Sequence, residues 1–197
     1  MKKNLLITGF DPFGGEKINP SWEAVSLLPA TINHYNIHKL QIPTQFDTAS
    51  KRILDKASSV HPDVILCIGQ AGGRDSITPE VIGINLREAS IPDNAGYQPV
   101  NTPVMEGSRE AYFSTVPVRT MVNNLRSNHI PARLSYSAGT FVCNDVLYTL
   151  LNTYHGSDTL VGFIHVPYLP EQIKKDEPSL SLQKIVEGLT VCIQSLE

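Results

Sequence analysis

This 197-residue chain has no block of like charge, no membrane-length apolar run and no cysteine framework, and each absence removes a class of function. The formal net charge is −3 and the 16 Lys and Arg are scattered. Nucleic acid is bound through clustered Lys and Arg, so it is not an expected partner. No stretch approaches the roughly 20 apolar residues that span a bilayer, so no membrane is expected either. The start of the chain, Met1-Lys-Lys-Asn-Leu-Leu-Ile, briefly imitates a leader. Its apolar run ends at Gly9, with Asp11 and Pro12 following. That is too short for a secretory segment and reads as a first strand. The three cysteines, Cys67, Cys143 and Cys192, are odd in number and far apart, with no Cys-x-x-Cys pair. They make no disulfide framework and point to a reducing cytoplasm. Walker A, Gly-x-Gly-x-x-Gly, Gly-x-Ser-x-Gly and His-Glu-x-x-His motifs are all missing, and no Cys or His spacing recommends a metal. Neither a cofactor nor a metal is expected.

What is present is an ordinary soluble composition, 41% hydrophobic and 18% charged, at a length that fits one domain over 1–197. The patterning predicts a buried strand at Asn4–Gly9 and a helix opened by Asn19-Pro20 and running to about Leu28. A half-buried strand follows at His34–Ile42, then an amphipathic helix at Thr48–Ser58 and a buried strand at Val64–Ile68. Ile77–Leu86 is expected to be extended but interrupted by Pro79. Ser90–Gly107, rich in Pro, Asn and Gly, is expected to be a long functional loop. Helices are expected at Val118–Asn128, Asn144–Asn152 and Leu182–Leu196, with strands at Ala132–Tyr136 and Thr159–Val166. Strand and helix alternate throughout. The expected fold is α/β, a three-layer sandwich with a mostly parallel sheet covered on both faces.

The unusual residues fall at the carboxyl ends of these strands, where open α/β sheets bind ligands. Cys143 follows a Gly-Thr turn and opens a helix. There, free N–H groups and the helix dipole favour a thiolate and a developing oxyanion. Cys67, within a strand, and Cys192, on a helix's apolar face, read as small core residues. Of six histidines, His165 alone lies in an apolar strand that is about to end at Pro167, the setting of a positioned base. Glu80 and Asp93 are both plausible carboxylate partners for it. Gly69-Gln-Ala-Gly-Gly-Arg74 lets backbone approach a ligand closely, and Arg74 leaves a weak phosphate reading open. Phe10, Phe13 and Phe141 lie in Gly- and Pro-rich surroundings and are candidates to wall a small apolar pocket.

These segments resemble the pyroglutamyl-peptidase I family. The resemblance rests on Thr8-Gly-Phe-Asp-Pro-Phe-Gly-Gly15, Asn19-Pro-Ser-Trp-Glu-Ala24, Gly69–Arg74, Ile91-Pro-Asp-Asn94, Ser137-Ala-Gly-Thr-Phe-Val-Cys-Asn144 and Gly162-Phe-Ile-His-Val-Pro167, in family order along nearly the whole chain. It implies an α/β/α fold and a cytoplasmic homo-oligomer, commonly a tetramer. It also implies removal of an N-terminal pyroglutamyl residue from peptides by a Cys143, His165 and Glu80 triad. Glu80 is thereby preferred to Asp93, and Phe10, Phe13, Gln70, Ile91 and Phe141 become the expected lactam pocket. Pyroglutamate is a flat, uncharged lactam, suited to phenyl faces and to backbone donors and acceptors. Two departures stand out. Glu80-Val-Ile-Gly83 and Ala89-Ser90-Ile91 each lack an arginine that the family usually carries, the second of which is expected near the nucleophile. Arg87 is the nearest candidate replacement. The departures keep open a catalytically weakened member that only binds pyroglutamyl ends. The glycine loop keeps open a phosphorylase-like enzyme.

Overall fold

The structure is a computed structural model that describes residues 2–196. In chain order it has β1 (Lys3–Phe10), α1 (Pro20–Leu27), β2 (Thr31–Ile32), β3 (Tyr35–Ile42), α2 (Thr48–Val60) and β4 (Val64–Gln70). The second half continues with β5 (Thr78–Pro79), β6 (Ile82–Ile84), β7 (Ala111–Phe113), α3 (Val118–Ser127), α4 (Val142–Thr153), β8 (Leu160–Val166) and α5 (Leu182–Gln194). Six strands form one sheet in the order β2-β3-β1-β4-β8-β5. The four central strands are parallel, and β2 and β5 are antiparallel edges. The expected three-layer α/β fold is the one found.

Period-two alternation divides each central strand between two cores. Leu5 and Ile7, Val64, Leu66 and Ile68, and Ile164 and Val166 pack beneath α1, α3 and α5. Leu6 and Phe10, Ile65 and Cys67, and Val161 and Phe163 pack beneath α2 and α4. Both faces are covered, which is why these strands read as continuous apolar runs. The first helix starts where its sequence says: the Asn19 carboxamide accepts from the Ser21 N–H (3.1 Å) and hydroxyl (2.8 Å), ahead of Pro20.

The predicted strand at Ala132–Tyr136 needs correction: it is not a regular strand, though it does run parallel to 77–81. An uninterrupted ladder would place five bonds here. Four form: Ile77 N–H to Pro131 O, Arg133 N–H to Ile77 O, Ser135 N–H to Pro79 O and Val81 N–H to Ser135 O. The fifth would be donated by Pro79, which has no N–H. Two isolated bridges, Ile77 with Ala132 and Glu80 with Ser135, are left in place of a strand.

The long loop is ordered. Arg87 and Thr102 bridge its two arms, and Ala89 N–H donates to Pro99 O (2.9 Å). At its tip one Asp93 oxygen accepts the Ala95 and Tyr97 N–H groups, and the other accepts Phe46 N–H (3.0 Å). Asn94 then donates to Pro12 O (2.9 Å), docking the tip on the loop after β1. Among the described residues no helix is long and apolar enough to cross a membrane.

Candidate active site

The chain runs from β1 outward to β3 and returns to β4 on the opposite side of β1. Such a reversal of direction opens a crevice at the carboxyl ends of the two strands. Here the register of β1 with β4 ends at Thr8 and Cys67, and Phe10 N–H turns to the Ser21 hydroxyl (2.9 Å). Phe10 and the loop bearing Phe13 lie on one side of the gap, Gly69 and Gln70 on the other. His165, on β8, is the register partner of Gly69.

Cys143 reaches this edge from the first turn of α4. Its Sγ lies 3.0 Å from where a Cβ on Gly69 would stand, and that Cβ would also lie 2.7 Å from the Phe163 ring. Glycine at position 69 is therefore what lets the thiol settle against the strand beside His165. The carboxylate that meets His165 comes from the far edge. Glu80 N–H donates to Phe163 O (2.9 Å), anchoring Glu80 alongside β8. Its Oε1 lies 2.7 Å from His165 Nδ1. Glu80 is fully buried and His165 is nearly so. A carboxylate at Nδ1 assigns the proton to that nitrogen and leaves Nε2 as the basic one. Asp93, the alternative carboxylate, is committed to the loop tip and to Phe46.

Burial dominates the electrostatics. It pushes the Cys143 thiol up to about 12, with the negative field of Glu80 adding to it and Arg74 opposing. Loss of water here opposes the thiolate that the free N–H groups of the helix start favour. Burial also lowers His165 below the ordinary imidazole value, against the raising effect of Glu80. Burial works against the charge of Glu80 too. Its bond with His165, the imidazole field, the Ser135 hydroxyl and Arg74 together outweigh this and hold it below the ordinary carboxylate value. Burial thus favours the neutral thiol and the neutral imidazole, while the donors around Glu80 favour its ionised form.

The aromatic residues form a connected wall. Phe13 and Phe141 have centroids 6.2 Å apart, and Phe141 meets Phe46 edge-on at 5.4 Å. Phe10 is buried behind them, against Phe163 at 6.3 Å. Phe46 was not singled out from sequence, although it carries the signal of Phe13, an aromatic in a Pro- and Thr-containing loop. Ile91 is exposed on the docked loop. The Gln70 side chain turns away from the thiol and accepts from Gln172 Nε2 (2.9 Å). Ala71 N–H donates to Val166 O, so by strand alternation the N–H and C=O of Gln70 face the gap toward β1. Backbone, not side chain, is what Gln70 offers there.

Sequence reasoning missed the residues that fix α4. Asn144 donates to Ile84 O (2.8 Å) and Leu86 O (3.0 Å) and accepts from Ile84 N–H (2.9 Å), pinning the residue next to Cys143. Asp145, fully buried, pairs with Arg87 at 2.6 Å, and Arg87 also pairs with Asp47. Arg87 is therefore not available to replace the arginine missing at the exposed Ser90. Arg74, the candidate phosphate ligand, instead donates to Glu80 Oε1 (2.8 Å), the Thr78 hydroxyl and Ser137 O (3.2 Å). Among the described residues no group of three or more His, Cys, Asp or Glu is arranged to hold a metal ion.

The Arg87 pair carries a stability prediction. Burial pushes Asp145 up to about 6 even though Arg87 pulls it down. Arg87→Ala removes that pull and leaves a buried carboxylate uncompensated, which costs about 3–5 kcal/mol. The raised folded-state value means the folded form holds a proton that the unfolded form has released. Losing Arg87 raises that value further, so the deficit relative to wild type opens as pH rises above about 6. Urea unfolding at pH 5 and pH 8 reads this as a larger loss of midpoint at pH 8.

Fold and site define a cysteine hydrolase on a three-layer α/β scaffold. Comparison with known proteins narrows the class. The sequence profile of the family described as pyroglutamyl peptidase matches residues 3–197, so the chain belongs to that family. It is 49% identical to the pyrrolidone-carboxylate peptidase of Staphylococcus carnosus over 98% of this chain and 92% of that one. The Enterococcus faecalis pyrrolidone-carboxylate peptidase is 46% identical over 97% and 92%. Among solved structures, the pyroglutamyl peptidase I of Bacillus amyloliquefaciens superposes with a TM-score of 0.96 at 45% identity, covering 100% of this chain and 95% of that one. The Thermococcus litoralis pyrrolidone carboxyl peptidase gives 0.94 at 34%, covering 98% and 93%.

Proposed function

We propose that this protein removes the N-terminal pyroglutamyl residue from peptides through a thioester on Cys143. The observation that carries this reading is the placement of three groups on one sheet edge: a thiol against Gly69, an imidazole on the neighbouring strand, and Glu80 on its Nδ1. His165 Nε2 takes the Cys143 proton as Sγ attacks the carbonyl joining pyroglutamate to the next residue. A thiol that burial pushes up and an imidazole that burial pushes down suit a concerted transfer. The tetrahedral oxyanion is held by the N–H groups in the first turn of α4, which have no partner within the helix. The C–N bond then breaks as His165 returns the proton to the leaving amine. Water, deprotonated by His165, attacks the thioester. Pyroglutamate leaves and the thiol is restored. The Phe13, Phe46 and Phe141 wall suits the lactam ring, and the Gln70 backbone suits its polar groups.

The whole chain, 1–197, is proposed as one catalytic unit, because the reacting groups come from segments on both halves of the sheet. A cytoplasmic homo-oligomer, tetramer or dimer, is proposed with it. Three free cysteines and the exposed Phe113 and Tyr136 are consistent with that setting. The test is hydrolysis of a pyroglutamyl-anilide beside a prolyl-anilide, which lacks the ring C=O. The expected preference is about 10⁴-fold, because proline leaves buried partners unpaired. No turnover of either sinks the reading. Tight binding of a pyroglutamyl peptide without cleavage identifies instead a weakened member that only holds pyroglutamyl ends, a reading kept by the exposed Ser90. A phosphorylase would require phosphate for cleavage, and the cation it needed, Arg74, is already bonded to Glu80.

A further inference from the structure

We infer that Arg74 is a positioning residue of the reaction, its guanidinium holding Glu80 against His165 and tying that pair to the loop that carries Cys143. The inference rests on the peptidase reading above and deepens it.

Glu80 Oε1 accepts twice, from His165 Nδ1 at 2.7 Å and from Arg74 Nη1 at 2.8 Å. Its other oxygen, Oε2, is buried and receives no hydrogen bond, because the nearby Ser135 hydroxyl donates to Ser137 O (3.1 Å) instead. A carboxylate with one partner can rotate and offer either oxygen. Two donors converging on Oε1 from different segments remove that freedom. The same Nη1 donates to the Thr78 hydroxyl, which in turn donates to His165 O at 3.4 Å. Thr78 is also the register partner of His165. The second arm of the fork, Nη2, donates to Ser137 O at 3.2 Å, at the start of the turn that ends in Cys143. One planar group thus joins the base's strand, the orienting carboxylate and the nucleophile's loop. A lysine ammonium offers a point charge but not this fork.

The charged groups acting on the imidazole are Glu80, from the segment after β5, and Arg74, from the glycine loop, while Cys143 of α4 lies against Gly69, the register partner of His165. The Ser135 hydroxyl faces Glu80 from the adjoining segment. Burial lowers His165 most, Glu80 raises it, and the positive charge of Arg74 lowers it further. Arg74 therefore favours the neutral imidazole that accepts the thiol proton. Wild-type kcat/KM should fall on the acid side only below the ordinary imidazole value of 6.5. Without Arg74 the imidazolium persists to higher pH, and the acid limb moves up.

The experiment is the pH profile of pyroglutamyl-anilide hydrolysis for wild type, Arg74→Met, Arg74→Lys and Arg133→Met. Arg133 is an exposed neighbour that does not touch Glu80. Arg74→Met is expected to lower kcat about tenfold or more, with KM near wild type and the acid limb displaced upward. Arg74→Lys keeps the charge, so its limb stays near wild type while kcat remains low for want of the fork. Arg133→Met changes neither. Wild-type kcat in Arg74→Met, or a lowered kcat with an unmoved limb, overturns the proposal as a merely structural effect. If Arg74→Met does not fold, Arg74→Lys decides, because wild-type kcat with lysine also overturns it. A silent wild type sinks the peptidase reading itself, an outcome distinct from an active wild type whose profile ignores Arg74.

Discussion

Cys143→Ala lowers pyroglutamyl-anilide hydrolysis by on the order of 10⁵-fold or more, while a pyroglutamyl peptide still binds. Removing a nucleophile from a covalent mechanism takes away the bond that divides one hard step into two easier ones. No second thiol substitutes, because Cys67 and Cys192 are fully buried in the two cores. The substitution also removes one atom from a site packed against Gly69 and Phe163, so the loss in folding stability is small beside the catalytic loss. Binding should persist because the aromatic wall and the Gln70 backbone are untouched. Turnover within tenfold of wild type would transfer the nucleophile's role elsewhere.

Glu80→Gln tests the other end of the relay. The carboxamide keeps the shape and can accept from His165 Nδ1–H through its oxygen. What it lacks is the negative charge that balances the imidazolium formed when His165 holds the thiol proton. It also places an NH2 where buried Oε2 stands without a partner, and it leaves Arg74 without a counter-charge. The expected loss in kcat is about 10³- to 10⁴-fold, the size seen when such a carboxylate becomes an amide. KM should change little, since Glu80 is fully buried behind the imidazole and has no surface to offer a substrate. Loss confined to KM would mean that Glu80 binds substrate instead of orienting the base.

How much of this was legible in the sequence depended on whether the governing contact was local. The central strands were legible because both faces are covered, so Leu5-Leu-Ile7 and Val64–Ile68 read as short unbroken apolar runs. Asn19-Pro20 announced α1 through cap chemistry that needs only its own neighbours. Cys143 and His165 stood out because each lies at an element boundary. The misses are long-range. Pro79 removes one ladder bond from a segment more than fifty residues later, and composition around Ala132 carries no trace of that. The pairing of Arg87 with Asp145 and the grip of Asn144 on Ile84 and Leu86 join residues about sixty apart. Most instructive is the thiol. The helix start beside Cys143 is readable and favours ionisation, but the burial that opposes it belongs to the assembled core.

The central claim is that Cys143 carries the acyl group. Acid quenching of enzyme mixed with excess pyroglutamyl-anilide, followed by digestion and mass spectrometry, tests it most directly. The account predicts one added pyroglutamyl group on the peptide containing Cys143, lost on treatment with hydroxylamine and absent from Cys143→Ala. A fast-turning enzyme with the acyl group on another residue, or with full activity and no thiol at position 143, would contradict it.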